Sequence, residues 1–471
     1  MTPRRSALVI VAIGLLLLIG LGGSLGVMVL ANGVLATAEP TWSTEVRWAG
    51  LSVRVSVPGL VRLATAPGVS HLVDGHSLQT PAGRIAFRRD GAALIARCAP
   101  CRWQHDALAS APLVLTSVEL RAERSGALVT GWLIVDHLRV DYTAELAADG
   151  IRLRWQLPPT ELSRAYAALA TVVPEVAVAR IEGTLAAGGQ LQLPQRSGSM
   201  KFHAEAIEVG GLGTEALQFG SFAMACRDAG GAPRRTLTGD REPRWVTLDR
   251  MGMLPAAVVA AEDQRYELHA GYDDTELASL LASVEPEGLR RGASTLTQQL
   301  ARTLFTGGEK TVARKLRELL YAIEMERTLG KRRILELYLN TVDWGPGLCG
   351  ARDAAHTYFR KRPEQLTPLE AAWLAGILRA PHTAHAQQFV GGAVDAERAR
   401  WVLMQMRGMA RSERERWRRK PLVLAAPRPG AAASSAPRQA DRNTPVAEGA
   451  VEVAEAPRHR SGAARAVAVV R

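Results

Sequence analysis

The pattern of apolar and polar residues divides the chain into segments of different periodicity. Residues 7–31 carry no charge, and a run of about 25 residues is long enough for a helix to cross the roughly 30 Å bilayer core. Arg4 and Arg5 precede this run, so the pattern predicts a cytoplasmic stub at residues 1–6, a transmembrane anchor at residues 7–31 and a chain that continues outside the cytoplasm. A cleaved signal peptide is the alternative, because residues 36–38 read Ala-Thr-Ala, but the run is longer than such a peptide needs.

Alternation with a period of two dominates residues 40–230. Apolar and polar side chains alternate along residues 51–57 and 151–157, and Gly and Asp turns separate the segments. This pattern is typical of an antiparallel sheet with one face in water. A helical pattern at residues 162–173 interrupts it. The sequence predicts a β-rich domain of unknown role, for which a spacer or a partner-binding module is the plainest interpretation.

Helical periodicity begins after the β-rich domain. Two acidic residues follow the first apolar run of this helical part of the sequence. Residues 258–261 read Val-Val-Ala-Ala and lead directly into Glu262 and Asp263. A carboxylate at the edge of an apolar wall loses solvation, which raises its pKa and suits it to proton transfer. His269 lies seven residues after Glu262, so it would share a face with Glu262 if the helix continued, and Gly271 is a candidate stop.

A second polar cluster marks the start of the next predicted helix. Ser294 or Thr295 would cap a helix over residues 296–305, in which Gln298 and Arg302 share a face. Arg314 and Glu318 also lie four residues apart, on a predicted helix at 312–329 whose leucines form a core stripe. Each feature alone has a structural explanation: acidic pairs often cap helices, and an Arg–Glu pair is usually a weak surface contact.

Composition and cysteine use limit the classes of partner. The chain has 471 residues, with 58 Lys and Arg against 46 Asp and Glu, giving a net charge of +12. Such a charge favours an anionic partner, and the membrane surface is a better candidate than nucleic acid because no nucleic-acid-binding motif accompanies it. Cys98 and Cys101 have the spacing of a redox pair or of half a zinc site, but no second Cys or His pair at zinc spacing follows. A local structural disulfide outside the cytoplasm is the plainer prediction. A basic tail rich in Ala, Pro and Arg, residues 409–471, is predicted to be disordered.

The order of these polar clusters resembles the peptidoglycan glycosyltransferases, family 51 of the glycosyltransferases. The first motif of that family is matched by Glu262, Asp263, Tyr266, His269 and Gly271, with Tyr in place of Phe. Residues 292–299, Gly-Ala-Ser-Thr-Leu-Thr-Gln-Gln, match the second motif. After them the chain differs from the motif, with Arg302 in place of Lys and Thr303 in place of Asn. The third to fifth motifs are matched by Arg314-Lys315-x-x-Glu318, residues 333–340 and residues 366–376.

The patterns and the resemblance together predict a multi-domain fold. The residue patterns predict an N-terminal transmembrane helix and a β-rich extracytoplasmic segment, and the resemblance implies a mainly α, lysozyme-like glycosyltransferase domain at residues 236–408. It implies an enzyme of the inner membrane whose catalytic domain lies on the periplasmic side. The expected substrates are lipid II and the growing glycan strand, with membrane lipids and other cell-wall synthesis proteins as candidate partners. The tail is too short for a transpeptidase domain and lacks a Lys-Thr-Gly motif, so a monofunctional enzyme is expected.

The resemblance also assigns roles to residues. Glu262 would take the proton from the attacking sugar hydroxyl, and Glu318 would orient the cations that stabilise the leaving diphosphate. The substrate-binding residues would be Asp263, Tyr266, His269, Ser294, Thr295, Gln298, Gln299, Arg302, Arg314 and Lys315. Asp263 and His269 are expected to brace their loop. No cofactor or metal site is required, although a divalent cation such as Mg²⁺ or Mn²⁺ would be able to assist.

Two other classes of function remain open from the sequence. A catalytically silent, membrane-anchored cell-wall scaffold would place the function in residues 40–230, and the replacement of Asn by Thr303 favours it slightly. A lytic, lysozyme-like enzyme would use Glu262 as a general acid to cut glycan. Cations that bind a diphosphate have no purpose in hydrolysis, and the acidic residues are intact, so polymerisation is the preferred prediction.

Overall fold

The computed structural model describes residues 73–147, 150–193, 197–272 and 294–427, together with residue 71 and the backbone of two N-terminal strands. These strands, β1 (Ser43–Trp48) and β2 (Leu51–Ser56), form an antiparallel hairpin. The described residues fall into two compact units. The sheet unit ends at residue 208 and also takes in residues 311–313, and the helical unit contains the other described residues from 209 onward.

The main sheet of the sheet unit has nine strands. Its strand order is β13-β12-β11-β10-β9-β8-β5-β4-β3, which is close to the order along the chain, and the pairs from β3–β4 to β11–β12 run antiparallel. The strands β3 to β13 are Ser77–Thr80, Gly83–Asp90, Ala93–Cys98, Cys101–Trp103, Leu113–Leu115, Val118–Ser125, Leu128–Val135, Leu138–Ala147, Gly150–Glu161, Arg180–Leu193 and Ser197–Gly210. The strands β6 and β7 pair separately.

Alternation along β11 shows why this sequence forms a sheet. Ile151 and Leu157 are buried, while Arg152 and Arg154 between them are exposed. Ile151 packs with Val129 and other apolar residues of neighbouring strands, which removes one face of the sheet from water. The predicted antiparallel sheet is therefore confirmed. The helix predicted at residues 162–173 is present in a shorter form as α1, Leu162–Ala167.

The helical unit contains most of the remaining helices of the described chain. The helices α2 to α10 are Leu254–Glu262, Leu296–Ala301, Val312–Thr328, Gly330–Thr341, Ala351–Phe359, Pro368–Ile377, Pro381–Ala384, Ala396–Gln405 and Arg411–Arg418. Two single π-turns follow α3 and α8, at Arg302–Thr306 and His385–Val390. A hairpin of β14 (Ser221–Arg227) and β15 (Pro233–Gly239) precedes the helices. Fully buried Trp344, Trp373 and Tyr358 lie in the apolar core that the helices share.

Two disulfides are present in the described residues. The predicted Cys98–Cys101 bridge is confirmed. The second bridge joins Cys226 in β14 to Cys349 before α6, which are 123 residues apart, and it was not predicted. Because it closes a long loop, this bridge restricts the unfolded chain and stabilises the attachment of the hairpin to the helices.

The compact units and the predicted domains divide the chain at different residues. The helical unit begins at residue 209 and includes the hairpin β14–β15, whereas the predicted end of the β-rich domain at residue 230 and the predicted start of the catalytic domain at residue 236 stay predictions. One predicted boundary requires correction. The basic tail, predicted to be disordered from residue 409, begins with the helix α10. Trp417, Leu422 and Leu424 pack against the helical core, and this burial of apolar surface orders a segment whose composition alone indicates disorder. Residues 428–471 lie outside the described residues.

A search of the described residues finds no helix that is both long enough and apolar enough to span a bilayer. The predicted transmembrane segment, residues 7–31, lies outside the described residues.

Candidate active site

Glu262 is the last residue of α2, a helix with an apolar sequence. Val258 and Ala260 are buried, so the helix is fixed in the core, and its end places the Glu262 side chain at the edge of that core. Burial raises the pKa of the Glu262 carboxyl, because the charged form loses hydration, while a hydrogen bond and the charges of Arg398, Arg302 and Arg379 oppose the rise. This is the environment that the sequence predicted for Glu262.

Gln299 holds the Glu262 carboxylate in position. Its Nε2 donates a hydrogen bond to Glu262 Oε2 at 3.2 Å, and its Oε1 accepts one from the Tyr338 hydroxyl at 2.9 Å. Tyr338 is fully buried in α5, and burial raises the pKa of its hydroxyl well above the usual value, so the hydroxyl remains a donor at all ordinary pH values. This donor fixes the orientation of the Gln299 amide, because only Oε1 can accept.

Asp263 and His269 form a separate buried pair. The backbone leaves the helix at Asp263, and His269 lies beyond a single 3₁₀ turn, so the prediction that His269 shares a helical face with Glu262 is wrong. His269 Nδ1 accepts a hydrogen bond from the Gly271 amide at 3.1 Å, which leaves the proton on Nε2 to bond Asp263 Oδ2 at 2.9 Å. Asp263 Oδ2 also accepts from the Leu296 amide at 3.0 Å. The pair therefore ties the end of α2 to the start of α3.

The predicted helix start at Ser294 and Thr295 is confirmed, with Thr295 as the cap. Thr295 Oγ1 accepts a hydrogen bond from the backbone N–H of Gln298 at 3.2 Å and donates one to the Gly271 carbonyl at 2.7 Å. The Gln298 side chain completes a capping box. Ser294 has a different contact, because its hydroxyl is hydrogen-bonded by the Lys315 ammonium.

Arg314, Lys315 and Glu318 form a buried charge cluster on α4. The Glu318 side chain is 1% exposed, and those of Arg314 and Lys315 are 8% and 9% exposed. Arg314 Nη1 donates to Glu318 Oε1, and Lys315 Nζ lies 3.1 Å from Glu318 Oε2. The carboxylate therefore compensates two buried cations at once. The spacing of these residues alone indicates a weak surface pair, whereas the cluster is buried.

The two departures in the second motif lie where α3 changes to a π-turn. Arg302 is exposed, and its charge is one of those that lower the pKa of Glu262. Thr303 Oγ1 donates to the Gln299 carbonyl at 3.0 Å, so the hydroxyl bonds its own helix. Tyr266, the departure in the first motif, donates its hydroxyl to the Lys331 carbonyl at 2.7 Å, so the added polar group is satisfied.

Sequence reasoning missed three basic residues around these groups. Lys331 Nζ lies 2.9 Å from Glu326 Oε1 and 4.5 Å from the centre of the Tyr266 ring, beneath the loop that carries His269. Arg398 donates to the Ala261 carbonyl at 3.4 Å, stacks on Trp401 and, with Arg379, places positive charge near Glu262. Lys331 lies two residues before the fourth motif, which was a local signal, but no local pattern marks Arg398.

The described residues do not form a metal site of their own. No group of three His, Cys, Asp or Glu side chains among them is arranged to hold a metal ion. The Glu318 carboxylate, which the resemblance assigns to orienting the cations, contacts Arg314 and Lys315.

The sequence of the helical unit is similar to that of known proteins. A sequence model described as Transglycosylase matches residues 231–407. Biosynthetic peptidoglycan transglycosylases of Shewanella amazonensis and Vibrio parahaemolyticus are 42% identical over 170 residues and 38% identical over 176 residues. These alignments cover 36% and 37% of this chain and 69% and 77% of the relatives. Penicillin-binding protein 1A of Haemophilus influenzae is 47% identical over 128 residues, which are 27% of this chain and 15% of that protein.

The helical unit thus defines a glycosyl-transferring enzyme, and the chain belongs to the peptidoglycan transglycosylase family. The residues of the sheet unit up to residue 208 precede the part of the chain that the family model matches.

Proposed function

We propose that this chain polymerises the glycan strands of peptidoglycan from lipid II by inverting glycosyl transfer, with release of polyprenyl diphosphate. Membership of the family supports the reaction class, since relatives are named biosynthetic peptidoglycan transglycosylases. The observation that carries the proposal is the half-buried Glu262 carboxylate, hydrogen-bonded by Gln299 and surrounded by arginine charges. A wall scaffold needs no carboxylate with a raised pKa, and a lytic enzyme needs no cluster of cations.

Glu262 acts as the general base. The 4-hydroxyl of the lipid II GlcNAc attacks the anomeric carbon of the growing strand, and Glu262 takes the hydroxyl proton as the new C–O bond forms. The bond from the anomeric carbon to the diphosphate breaks, and its electron pair leaves with the diphosphate. Attack opposite the leaving group inverts the anomeric configuration. The raised pKa of Glu262 makes it a stronger base than an exposed carboxylate.

Cations stabilise the leaving diphosphate. Arg302 is exposed beside Glu262, while Lys315 and Arg314 are held by Glu318, so their positions are fixed before substrate binds. Fixed cations stabilise developing negative charge without a reorganisation cost during the reaction. Gln299 donates hydrogen bonds to Glu262 at 3.2 Å and to the Ser294 carbonyl at 3.4 Å, and the Ser294 hydroxyl accepts one from Lys315. These contacts connect the base to the cations.

The location of the enzyme extends the proposal. Residues 7–31 anchor the chain in the inner membrane as a single span, and Arg4 and Arg5 keep the N-terminus in the cytoplasm, so the helical unit acts on the periplasmic side. Protease treatment of spheroplasts tests this arrangement, because the helical unit should be digested from outside while an N-terminal tag remains protected. Partnership with other cell-wall synthesis proteins and assistance by a divalent cation stay predictions.

The proposal is tested with purified full-length chain and labelled lipid II in detergent. The products are separated by gel before and after muramidase digestion. A muramidase-sensitive ladder supports polymerisation. Bound lipid II without products would favour the scaffold, and shortening of preformed glycan without elongation of lipid II would favour the lytic enzyme.

Arg398→Gln should move the acidic limb of the pH–rate profile. The positive charge of Arg398 lowers the pKa of Glu262, so its removal raises that pKa further, and the base form is reached only at higher pH. Because Arg398 is half-buried and its charge is only partly screened by water, we expect the acidic limb of kcat/KM to move to higher pH. Arg400→Gln on the same helix is the control, and its limb should not move. Coincident limbs in Arg398→Gln and wild type would contradict the assignment.

Tyr338→Phe should lower kcat with little change in KM. The substitution removes the donor that orients the Gln299 amide, so the hydrogen bond from Gln299 to Glu262 becomes less well defined. A neutral hydrogen bond of this kind contributes about 1 kcal/mol, so we expect a five- to tenfold fall in kcat. Tyr358→Phe is the matched control: it also loses a buried hydrogen bond, to the Trp344 carbonyl, but should keep wild-type kcat. Equal falls in both variants would indicate a general packing effect.

A further inference from the structure

A cavity of about 330 Å³ lies in the helical unit, between the hairpin β14–β15 and the ends of α5 and α6. None of the predicted catalytic or substrate-binding residues lines it. Its lining combines sulfur atoms, hydroxyl groups and charged side chains, among them Met224, Cys226, Arg234, Thr236, Glu242 and Arg352.

The register of the hairpin explains why one wall is apolar and the other polar. In an antiparallel pair, residues directly opposite each other share a face. Met224 pairs with Thr236 and Cys226 pairs with Arg234, so these four side chains lie on the same face. Met224 and Cys226 are buried, and Cys226 is joined to the half-buried Cys349, so this wall is apolar, whereas β15 contributes Arg234 and threonines to that face. A face of a hairpin that only packed on a core would have apolar residues on both strands.

The charges around the cavity do not balance. Three arginines, Arg234, Arg244 and Arg352, line it together with two carboxylates. Arg244 Nη1 lies 3.1 Å from Asp353 Oδ2, so these two charges compensate each other. Glu242 accepts a hydrogen bond from the Ser221 hydroxyl at 2.8 Å. The lining therefore carries one positive charge more than its carboxylates neutralise.

The start of α6 adds a further favourable field. Gly350 is the N-cap of this nine-residue helix and has no side chain with which to cap it. Gly350 and Arg352 both line the cavity, so the positive end of the helix is directed towards the ligand space. This field supports anion binding but would not by itself define a site.

We propose that this cavity binds the carboxylate of a small organic monoanion that carries a methyl or methylene group beside the charge. A guanidinium fork matches a planar carboxylate, and a single negative charge neutralises the excess positive charge. A dianion would leave the lining negative overall. The apolar wall of Met224 and the disulfide accommodates a methyl or methylene group beside the carboxylate, and the volume is that of a small-ligand pocket. The site is independent of the glycosyl-transfer reaction.

Saturation-transfer NMR on the full-length chain tests this proposal, with N-acetylalanine as the probe. N-acetylalaninamide has the same shape without the charge, and inorganic phosphate is the dianionic control. We expect saturable binding of the acid, and at least tenfold weaker binding of the amide and of phosphate. Arg234→Gln should weaken binding of the acid about tenfold, because a charge-assisted hydrogen bond is lost.

Arg235→Gln is the matched control, because Arg235 is the next residue of β15 and lies on the opposite face of the hairpin. Its affinity for N-acetylalanine should equal that of the wild type. Polymerisation of lipid II should be unchanged in both variants, which separates this site from the proposed function. Equal binding of acid and amide, stronger binding of phosphate than of the acid, or equal losses in the two variants would overturn the proposal, as would no saturable binding below about 10 mM.

Discussion

Glu262→Gln should abolish glycan polymerisation while leaving the protein folded and able to bind lipid II. Gln is close to Glu in shape and can keep the contact with the Gln299 side chain, so the change removes the base without removing the packing. General base catalysis contributes roughly 10²- to 10⁴-fold, and we expect kcat to fall about a thousandfold. The measurement is the initial rate of lipid II consumption, with lipid II binding followed separately.

The stability of this variant provides a second criterion. Burial raises the pKa of Glu262, which means that the folded state disfavours the ionised form. At pH 7 the carboxylate therefore costs folding free energy, and the neutral amide should leave Tm unchanged or slightly higher. Glu267→Gln, at an exposed position five residues later, is the control and should keep wild-type activity. A Glu262→Gln enzyme with more than about a tenth of wild-type kcat would refute the role of general base.

Glu318→Gln should strongly destabilise the helical unit. The Glu318 carboxylate faces both Arg314 and Lys315 inside the protein, and a Gln amide cannot compensate either charge. Removal of one partner from a buried charge cluster costs about 3–5 kcal/mol, because the remaining charges lose their compensation. We expect a fall in Tm of about 10 °C for a unit of this size, measured by thermal unfolding at fixed ionic strength.

A double variant distinguishes lost compensation from a packing defect. Lys315→Met with Glu318→Gln removes one of the two cations, and it should recover part of the stability that Glu318→Gln loses. Glu413→Gln is the surface control, since its pair with Arg416 is exposed and should contribute less than about 1 kcal/mol. If Glu318→Gln unfolds within about 1 kcal/mol of wild type, the cluster does not need its carboxylate.

Local patterns in the sequence predicted the parts of the fold and site that depend on neighbouring residues. The alternation at residues 151–157 predicted a strand of the main sheet, and the pair of candidate caps Ser294 and Thr295 predicted a helix start. The Cys98–Cys101 bridge could be predicted from the short separation of the two cysteines and the expected oxidising compartment. These predictions succeeded because the relevant interactions lie within one or two turns of the chain.

The features that the sequence did not predict depend on contacts across the fold. Arg398 reaches the Ala261 carbonyl 137 positions earlier, and Tyr338 orients Gln299 from another helix, so no spacing rule connects these residues. The Cys226–Cys349 bridge is of the same kind. The error at His269 had a local cause: α2 ends at Glu262, because the Asp263 backbone turns away and its carboxylate bonds the start of α3.

The most direct test of glycosyl transfer is to count both products in one reaction. Full-length chain is incubated with lipid II labelled in the sugar and in the polyprenyl chain, and released polyprenyl diphosphate is compared with new glycosidic bonds. Polymerisation predicts one diphosphate released for each bond formed, in glycan that muramidase digests. Diphosphate released with free reducing sugar and no chain growth would indicate hydrolysis, and neither product under conditions where lipid II binds would contradict the enzymatic function.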